Sequence, residues 1–201
     1  MKIGLTTRAA VAADADAVCT VLRLAILETC VDDHRHEPAI LDAWLGNKHP
    51  AQVAAWMAVP ANYMVVAEMA LADQPHVAGG DIGSVGIVGV ALINQAGKLA
   101  LCHVLPQAQR HGVGTALLRA AEAKAREWGV GTVRIDGTRN SQQFYARFGY
   151  NDAGRDKTSY GLECNLLWKE LNASPGTSPG TSPGHNSGSK RFCSCNPHPS
   201  L

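Results

Sequence analysis

The chain carries no excess of either charge, no long apolar run and no closely paired cysteines of metal-binding spacing. Its 18 lysines and arginines stand against 17 aspartates and glutamates, a formal net charge of +1. That balance gives no electrostatic reason to expect nucleic acid or an anionic membrane as a main partner. No apolar stretch reaches the roughly 18 residues that a membrane span requires. The N-terminus has Lys2 and an alanine-rich patch from Ala9, but Asp14 and Asp16 interrupt it, which makes a poor signal peptide. Six cysteines, at 19, 30, 102, 164, 193 and 195, show neither Cys-x-x-Cys nor zinc-finger spacing, so reduced thiols in a cytoplasmic chain are the expectation. Two nucleotide motifs are missing as well. Val113-Gly114 runs straight into Thr115-Ala116-Leu117-Leu118, which leaves no third glycine of a dinucleotide fingerprint and no Gly-Lys-Ser/Thr.

What is present suits one α/β domain with an extension. At 201 residues and 46% apolar composition the chain can bury a sizeable core. Ile3 to Arg8 reads as a first strand. Asp14 reads as the N-cap of a helix whose apolar positions, Ala17, Val18, Val21, Leu22, Ala25 and Ile26, form one stripe. A polar loop follows, Asp32-Asp33-His34-Arg35-His36-Glu37, and Pro38 starts a second helix carrying Ile40, Leu41, Trp44 and Leu45. Pro50 to Val59 adds a helical turn or two. Tyr63 to Met69, Val85 to Ile93 and Lys98 to Val104 form an antiparallel meander, with a loose connection through Asp73 to Gly83.

A helix over 113–128 places Val113, Leu117, Ala121 and Trp128 on one side and the Glu122/Arg126 pair on the other, with Gly129 or Gly131 as its stop. Thr132 to Asp136 then makes a parallel crossover with the fourth strand. Ser141 to Arg147 is a short helix, Gly149-Tyr150 begins a sixth strand, and Glu163 to Lys169 is the seventh. From Asn172 the repeats Ser-Pro-Gly-Thr replace apolar residues, so 172–201 is expected to be a disordered tail behind a domain at 1–171.

The stretch that organises the chain is Gln109-Arg110-His111-Gly112-Val113-Gly114, set between a strand and a helix. The first N–H groups of a helix have no internal acceptor and carry partial positive charge, and glycines let an anion approach them. This hexapeptide resembles motif A of the GNAT superfamily of N-acetyltransferases, matched by Gln109, Gly112 and Gly114, with Val104-Leu105-Pro106 like the Val-x-Pro before it. A second block, Asn140-Ser141-Gln142-Gln143-Phe144-Tyr145-Ala146-Arg147-Phe148-Gly149-Tyr150, resembles motif B of that family.

The resemblance covers roughly residues 3 to 171. It implies a mixed, twisted sheet of about seven strands in the order βααβββαβαββ, and acetyl-coenzyme A as co-substrate. It further implies cofactor contacts from Val104, Gln109, Arg110, His111, Gly112, Val113, Gly114 and Thr115, from Tyr145, and from Asn140 or alternatively Thr138. Arg110 and His111 would stand at the rim of the phosphate site.

The chemistry so implied needs an amine freed of its proton, donors for an oxyanion, and an acid for a thiolate leaving group. Tyr145 matches the family's general acid, and a backbone N–H near Val104 its oxyanion donor. His103 and Glu68 are the candidate bases, with Asp136 behind them, although water chains can serve instead. His34 and His36 among Asp32, Asp33 and Glu37 read as a solvated surface and not as a metal site; with Trp44 they fall in a region that lines the acceptor site in the family. The expected reaction is acetyl transfer from acetyl-coenzyme A to a small-molecule or peptide amine, by a monomer or homodimer. The alternatives are a non-catalytic acyl-coenzyme A sensor on the same fold and a different nucleotide-phosphate enzyme.

Overall fold

The computed structural model describes residues 4–70, 85–158 and 161–171. Ile3, the connection at 73–83 and the proposed tail at 172–201 lie outside the described residues. Seven strands form one sheet in the order β1-β2-β3-β4-β5-β7-β6. They are β1 (Thr6–Ala9), β2 (Asn62–Ala70), β3 (Val85–Asn94), β4 (Lys98–Val104), β5 (Thr132–Gly137), β6 (Asn151–Lys157) and β7 (Glu163–Glu170). β2, β3 and β4 are the expected antiparallel meander, and β4 meets β5 in parallel.

Val65, Val66 and Ala67 are buried in succession on β2, which requires cover on both faces of the sheet. Helix α1 (Ala15–Thr29) packs on β3 and β4, and helix α5 (Val113–Glu127) packs on β2 and β3. Gly89 sets the approach of α5: a Cβ there would lie 2.8 Å from Val113 Cγ1 and 2.9 Å from Leu117 Cδ1. A smaller apolar cluster of Ile26, Cys30, Ile40, Trp44 and Leu162 ties α1 to helix α3 (Pro38–Leu45) and to the β6–β7 connection.

Four local expectations change. Asp14 does occupy the N-cap position of α1, but its side chain makes no capping bond to that helix; it ends a 3-10 turn, accepts the Val11 N–H at 2.8 Å, and is gripped by Arg8 through two hydrogen bonds of 2.6 and 2.9 Å. The loop at 32–37 is entered by a helical turn, α2 (Val31–His34), in which Asp33 and His34 are buried. Glu122 lies inside the fold, 5% exposed, where it accepts hydrogen bonds from Tyr150 Oη at 3.1 Å and Lys169 Nζ at 2.8 Å. Its partner Arg126 stays on the surface, so the expected pair straddles the core boundary. The sixth strand starts at Asn151, since Gly149 (φ +81°) closes the short helix α6 (Gln142–Ala146) in a left-handed turn.

Candidate active site

β4 and β5 pair only through Lys98 opposite Arg134 and Leu99 opposite Ile135, at the start of β4 and the middle of β5. Beyond that, β4 stays on β3 as far as Val104 opposite Gly89, while β5 stays on β7 as far as Gly137 opposite Asn165. The strands splay. A bulge contributes: Leu99 and Leu101 pair with consecutive residues of β3, leaving Ala100 as the extra residue, and a bulge increases local twist. The splay opens into a cavity of about 940 Å³, a size that accommodates a cofactor-scale ligand. Leu105 N–H donates to Val88 O on β3, so strand alternation sends the preceding Val104 N–H the other way, into the gap.

The loop after β4 is built to present amides. Arg110 (φ +66°) and Gly112 (φ +84°) both adopt left-handed backbone, and left-handed residues in a tight loop turn successive N–H groups toward one point. Arg110 accepts a strain of about 1 kcal/mol for this geometry. The first helical bond of α5 runs from Ala116 N–H to Gly112 O at 3.0 Å, which leaves the N–H groups of Val113, Gly114 and Thr115 ahead of the helical ladder. Val104, Gln109, Arg110, Gly112, Val113, Gly114 and Thr115 all line the cavity. His111 does not; its ring donates from Nδ1 to Gln109 O at 2.8 Å, on the exposed side of the loop.

Tyr145, on α6, is 5% exposed and packs between Phe144 and Tyr150, with ring centroids 5.0 and 5.4 Å away. Its hydroxyl is in hydrogen-bonding contact with Cys102, and burial first, then this thiol, pushes the phenol far above its usual range. Burial likewise pushes the Cys102 thiol up to about 11, so it stays protonated. His103 is driven the other way, down to about 4, by burial and then by the charge of Lys48. The cavity is therefore lined by a neutral phenol, which can give a proton, and by a neutral imidazole, which can take one.

Residues 47–165, more than half of the chain, match the family model described as "Acetyltransferase (GNAT) domain". The chain belongs to the GNAT acetyltransferase family. An acetyltransferase candidate of Bacillus subtilis (strain 168) is 26% identical over 86 residues, which cover 43% of this chain and 58% of that protein. Thus the chain matches little more than half the length of this curated relative. Among solved structures, a GCN5-related N-acetyltransferase from Rhodopseudomonas palustris superposes with a TM-score of 0.67 at 20% identity, covering 85% of this chain and 98% of the other. The PaiA N-acetyltransferase from Thermoplasma acidophilum, solved in complex with coenzyme A, has a TM-score of 0.62 at 13% identity, over 83% and 99% of the two chains. At these identities the likeness is one of fold.

Within this GNAT domain the structure separates the remaining candidates. Glu68 is not brought to the cavity: its carboxylate accepts from Arg8 Nη2 at 2.8 Å at the β1 side of the sheet. Asp136 lines the cavity but is held in an ion pair with Lys98. Asn140 and Thr138 both line it. The Asn140 amide donates to Asp32 Oδ2 at 2.9 Å, and Thr138 O accepts from Asn165 Nδ2 at 3.2 Å. Asp32 and Asp33 thus dock α2 on the β5–α6 loop, since Asp33 Oδ1 also accepts the Arg139 N–H at 2.9 Å. His34 is fully buried, accepting the His36 N–H on Nδ1 at 3.0 Å and facing Leu27 O with Nε2. Neither histidine lines the cavity; Trp44 does.

Cys102, Lys48 and Trp56 are among the lining residues that the sequence reading did not single out. Lys48 sits in Gly46-Asn47-Lys48-His49-Pro50, a pattern that reads as a solvated turn. Val53 and Trp56, three apart on α4 (Pro50–Ala58), carried a periodic signal for one buried face.

Proposed function

We propose that the protein transfers the acetyl group of acetyl-coenzyme A to a primary amine by direct attack in a ternary complex, with residues 1–171 as the catalytic unit. The observation that carries this reading is the coincidence of three features on one cavity. These are the divergence of β4 from β5, the free amides at the start of α5, and the Tyr145 hydroxyl. The amides of 112–115, at the positive end of a helix of 15 residues, suit the diphosphate of coenzyme A. Arg110 and Gln109 would add side-chain contacts, and Asn140 or Thr138 would meet the cofactor from the opposite wall. His111, turned outward, belongs to the rim.

In the reaction the amine nitrogen attacks the thioester carbonyl and the Val104 N–H stabilises the oxygen that gains charge. The C–S bond breaks as the intermediate collapses, and the Tyr145 hydroxyl gives its proton to the departing sulfur. The proton lost by the amine passes to His103 or to water. Because His103 is neutral over the physiological range, it is free to accept, though a weakly basic imidazole favours relay over storage of the proton.

Calorimetry with acetyl-coenzyme A, followed by thiol release in a panel of primary amines, tests the proposal. Saturable binding plus amine-dependent release is expected. Absence of binding removes the reading, and binding without release across the panel identifies an acyl-coenzyme A sensor instead.

A further inference from the structure

One wall of the cavity runs outward from the α5 amides along α6, and its side chains change character on the way. Tyr145 is buried, Phe144 and Phe148 are half-buried, Arg147 is exposed, and all four line the cavity. That gradient leads from the interior to the mouth. Phe144 fixes where the wall begins. A Cβ at Gly114 would lie 3.4 Å from Phe144 Cζ, so the bare glycine lets this ring lie against the turn that presents the amides. Phe148 continues the aromatic surface, with its ring centroid 5.1 Å from that of Phe144. Beside it, Arg147 Nε donates at 3.3 Å to the carbonyl of Gln143, itself a lining residue, which ties the guanidinium to this wall. Arg147 forms no ion pair with a carboxylate among the described residues. The lining carboxylates of Asp136 and Glu163 are held instead by Lys98 and by Arg139 and Lys157.

We infer that this outer wall is the subsite for the adenosine 3′-phosphate of the donor, with Arg147 holding the 3′-phosphate and Phe148 carrying the face of the base. It thereby selects free coenzyme A thioesters over thioesters on the phosphopantetheine arm of a carrier protein. The inference rests on the acetyltransferase reading and adds the donor class to it. In coenzyme A a single ribose joins the diphosphate to both the base and the 3′-phosphate. A diphosphate on the α5 amides therefore brings both groups to the next stretch of wall. A guanidinium meets a phosphate through two parallel hydrogen bonds, and a base stacks on an aromatic face. A carrier-bound arm has one phosphate, which the amides satisfy, and offers Arg147 nothing to hold.

Acetyl-coenzyme A and its 3′-dephospho analogue, titrated by calorimetry, differ by that one phosphate. Because Arg147 is exposed, the expected preference in Kd for acetyl-coenzyme A is about 5- to 20-fold, toward the lower end of what a charge-assisted pair supplies. It should shrink as salt is raised. Arg147→Gln should close the ratio by weakening acetyl-coenzyme A alone, and Arg147→Lys should restore part of it. Arg110→Gln and Phe148→Leu should weaken both thioesters and keep the ratio. The acetyl thioester of 4′-phosphopantetheine, the free form of a carrier arm, should bind more weakly than either. A fragment measurement needs no thioester: adenosine 3′,5′-bisphosphate should bind more tightly than adenosine 5′-monophosphate. Equal affinity for the two coenzyme thioesters, a ratio unchanged in Arg147→Gln, equal binding of the two fragments, or a phosphopantetheine thioester that binds as well as acetyl-coenzyme A would overturn the inference and leave the acetyltransferase reading standing. If no thioester binds, that reading falls and the inference falls with it.

Discussion

Tyr145 and His103 show how one cavity pushes two titrating groups apart until each is neutral. The phenol is held protonated by burial and by Cys102, and the imidazole is held deprotonated by burial and by the Lys48 charge. Replacing Tyr145 with Phe removes the proposed proton donor but little of the packing against Phe144 and Tyr150. We expect kcat to fall about 10²-fold or more while acetyl-coenzyme A affinity, read by calorimetry, stays within a few-fold. His103 makes a prediction about pH. Its folded pKa of about 4 lies below the usual value of 6.5, so between those limits the unfolded chain binds a proton that the folded one refuses. Stability should therefore drop as pH falls from 6.5 toward 4, and His103→Gln should flatten that decline in thermal melts. Asp14 adds a separate acid limb. The hydrogen bonds from Arg8 hold its carboxyl below the usual range, so its contribution is present above about pH 4 and is lost on further acidification. Because Arg8 is 40% exposed in its side chain, solvent screening keeps that contribution near 1 kcal/mol. The identity of Tyr145 was legible because a motif surrounds it. The protonation of His103 was not, since it depends first on burial and then on Lys48, which is 55 positions away in the chain.

Helix α5 is the element through which packing reaches the proposed cofactor loop. Its first residue, Val113, is buried under β3 at Gly89, and the same turn supplies the amides that line the cavity. Gly89→Ala would put a methyl 2.8 Å from Val113 Cγ1 and 3.2 Å from His103 O, in a place where backbone must move. A stability loss of about 1–3 kcal/mol is expected, with weaker acetyl-coenzyme A binding measured alongside by calorimetry. At the middle of α5, Glu122 connects the helix to Lys169 on β7 and to Tyr150 beside α6. Removing its carboxylate in Glu122→Ala leaves Lys169 partly buried without this partner, a loss of about 3 kcal/mol in denaturant unfolding. The helical period of α5 was plain in the sequence. Its Glu122/Arg126 spacing suggested an outward pair, because spacing cannot tell that a lysine on a distant strand approaches from inside.

At the scale of the whole molecule the sheet is two partly joined halves, β1 to β4 and β5 to β7, whose ladder across the join has two paired positions, Lys98–Arg134 and Leu99–Ile135. A ligand that spans the gap binds the folded chain alone, so it stabilises by mass action. Acetyl-coenzyme A at 100 times its Kd should add about 2.7 kcal/mol, seen as a rise of roughly 5–10 °C in Tm for a domain of this size. No rise would argue against occupancy of the gap. Among the described residues no helix is long and apolar enough to cross a membrane.

The sequence by itself determined the elements and the two motifs, because hydrophobic period, glycine placement and strand-to-helix punctuation are local properties of the chain. Through the resemblance those motifs carry, it also grouped Val104, Gln109, Arg110, Gly112, Val113, Gly114, Thr115 and Tyr145, which line one cavity, with His111, which does not. Only the tertiary structure decided that Glu68 belongs to Arg8, that His34 is a buried structural histidine, and that Lys48 stands in the cavity wall. Each of those depends on partners far apart in the chain, and the charge and solvation of a side chain are set by what surrounds it in space.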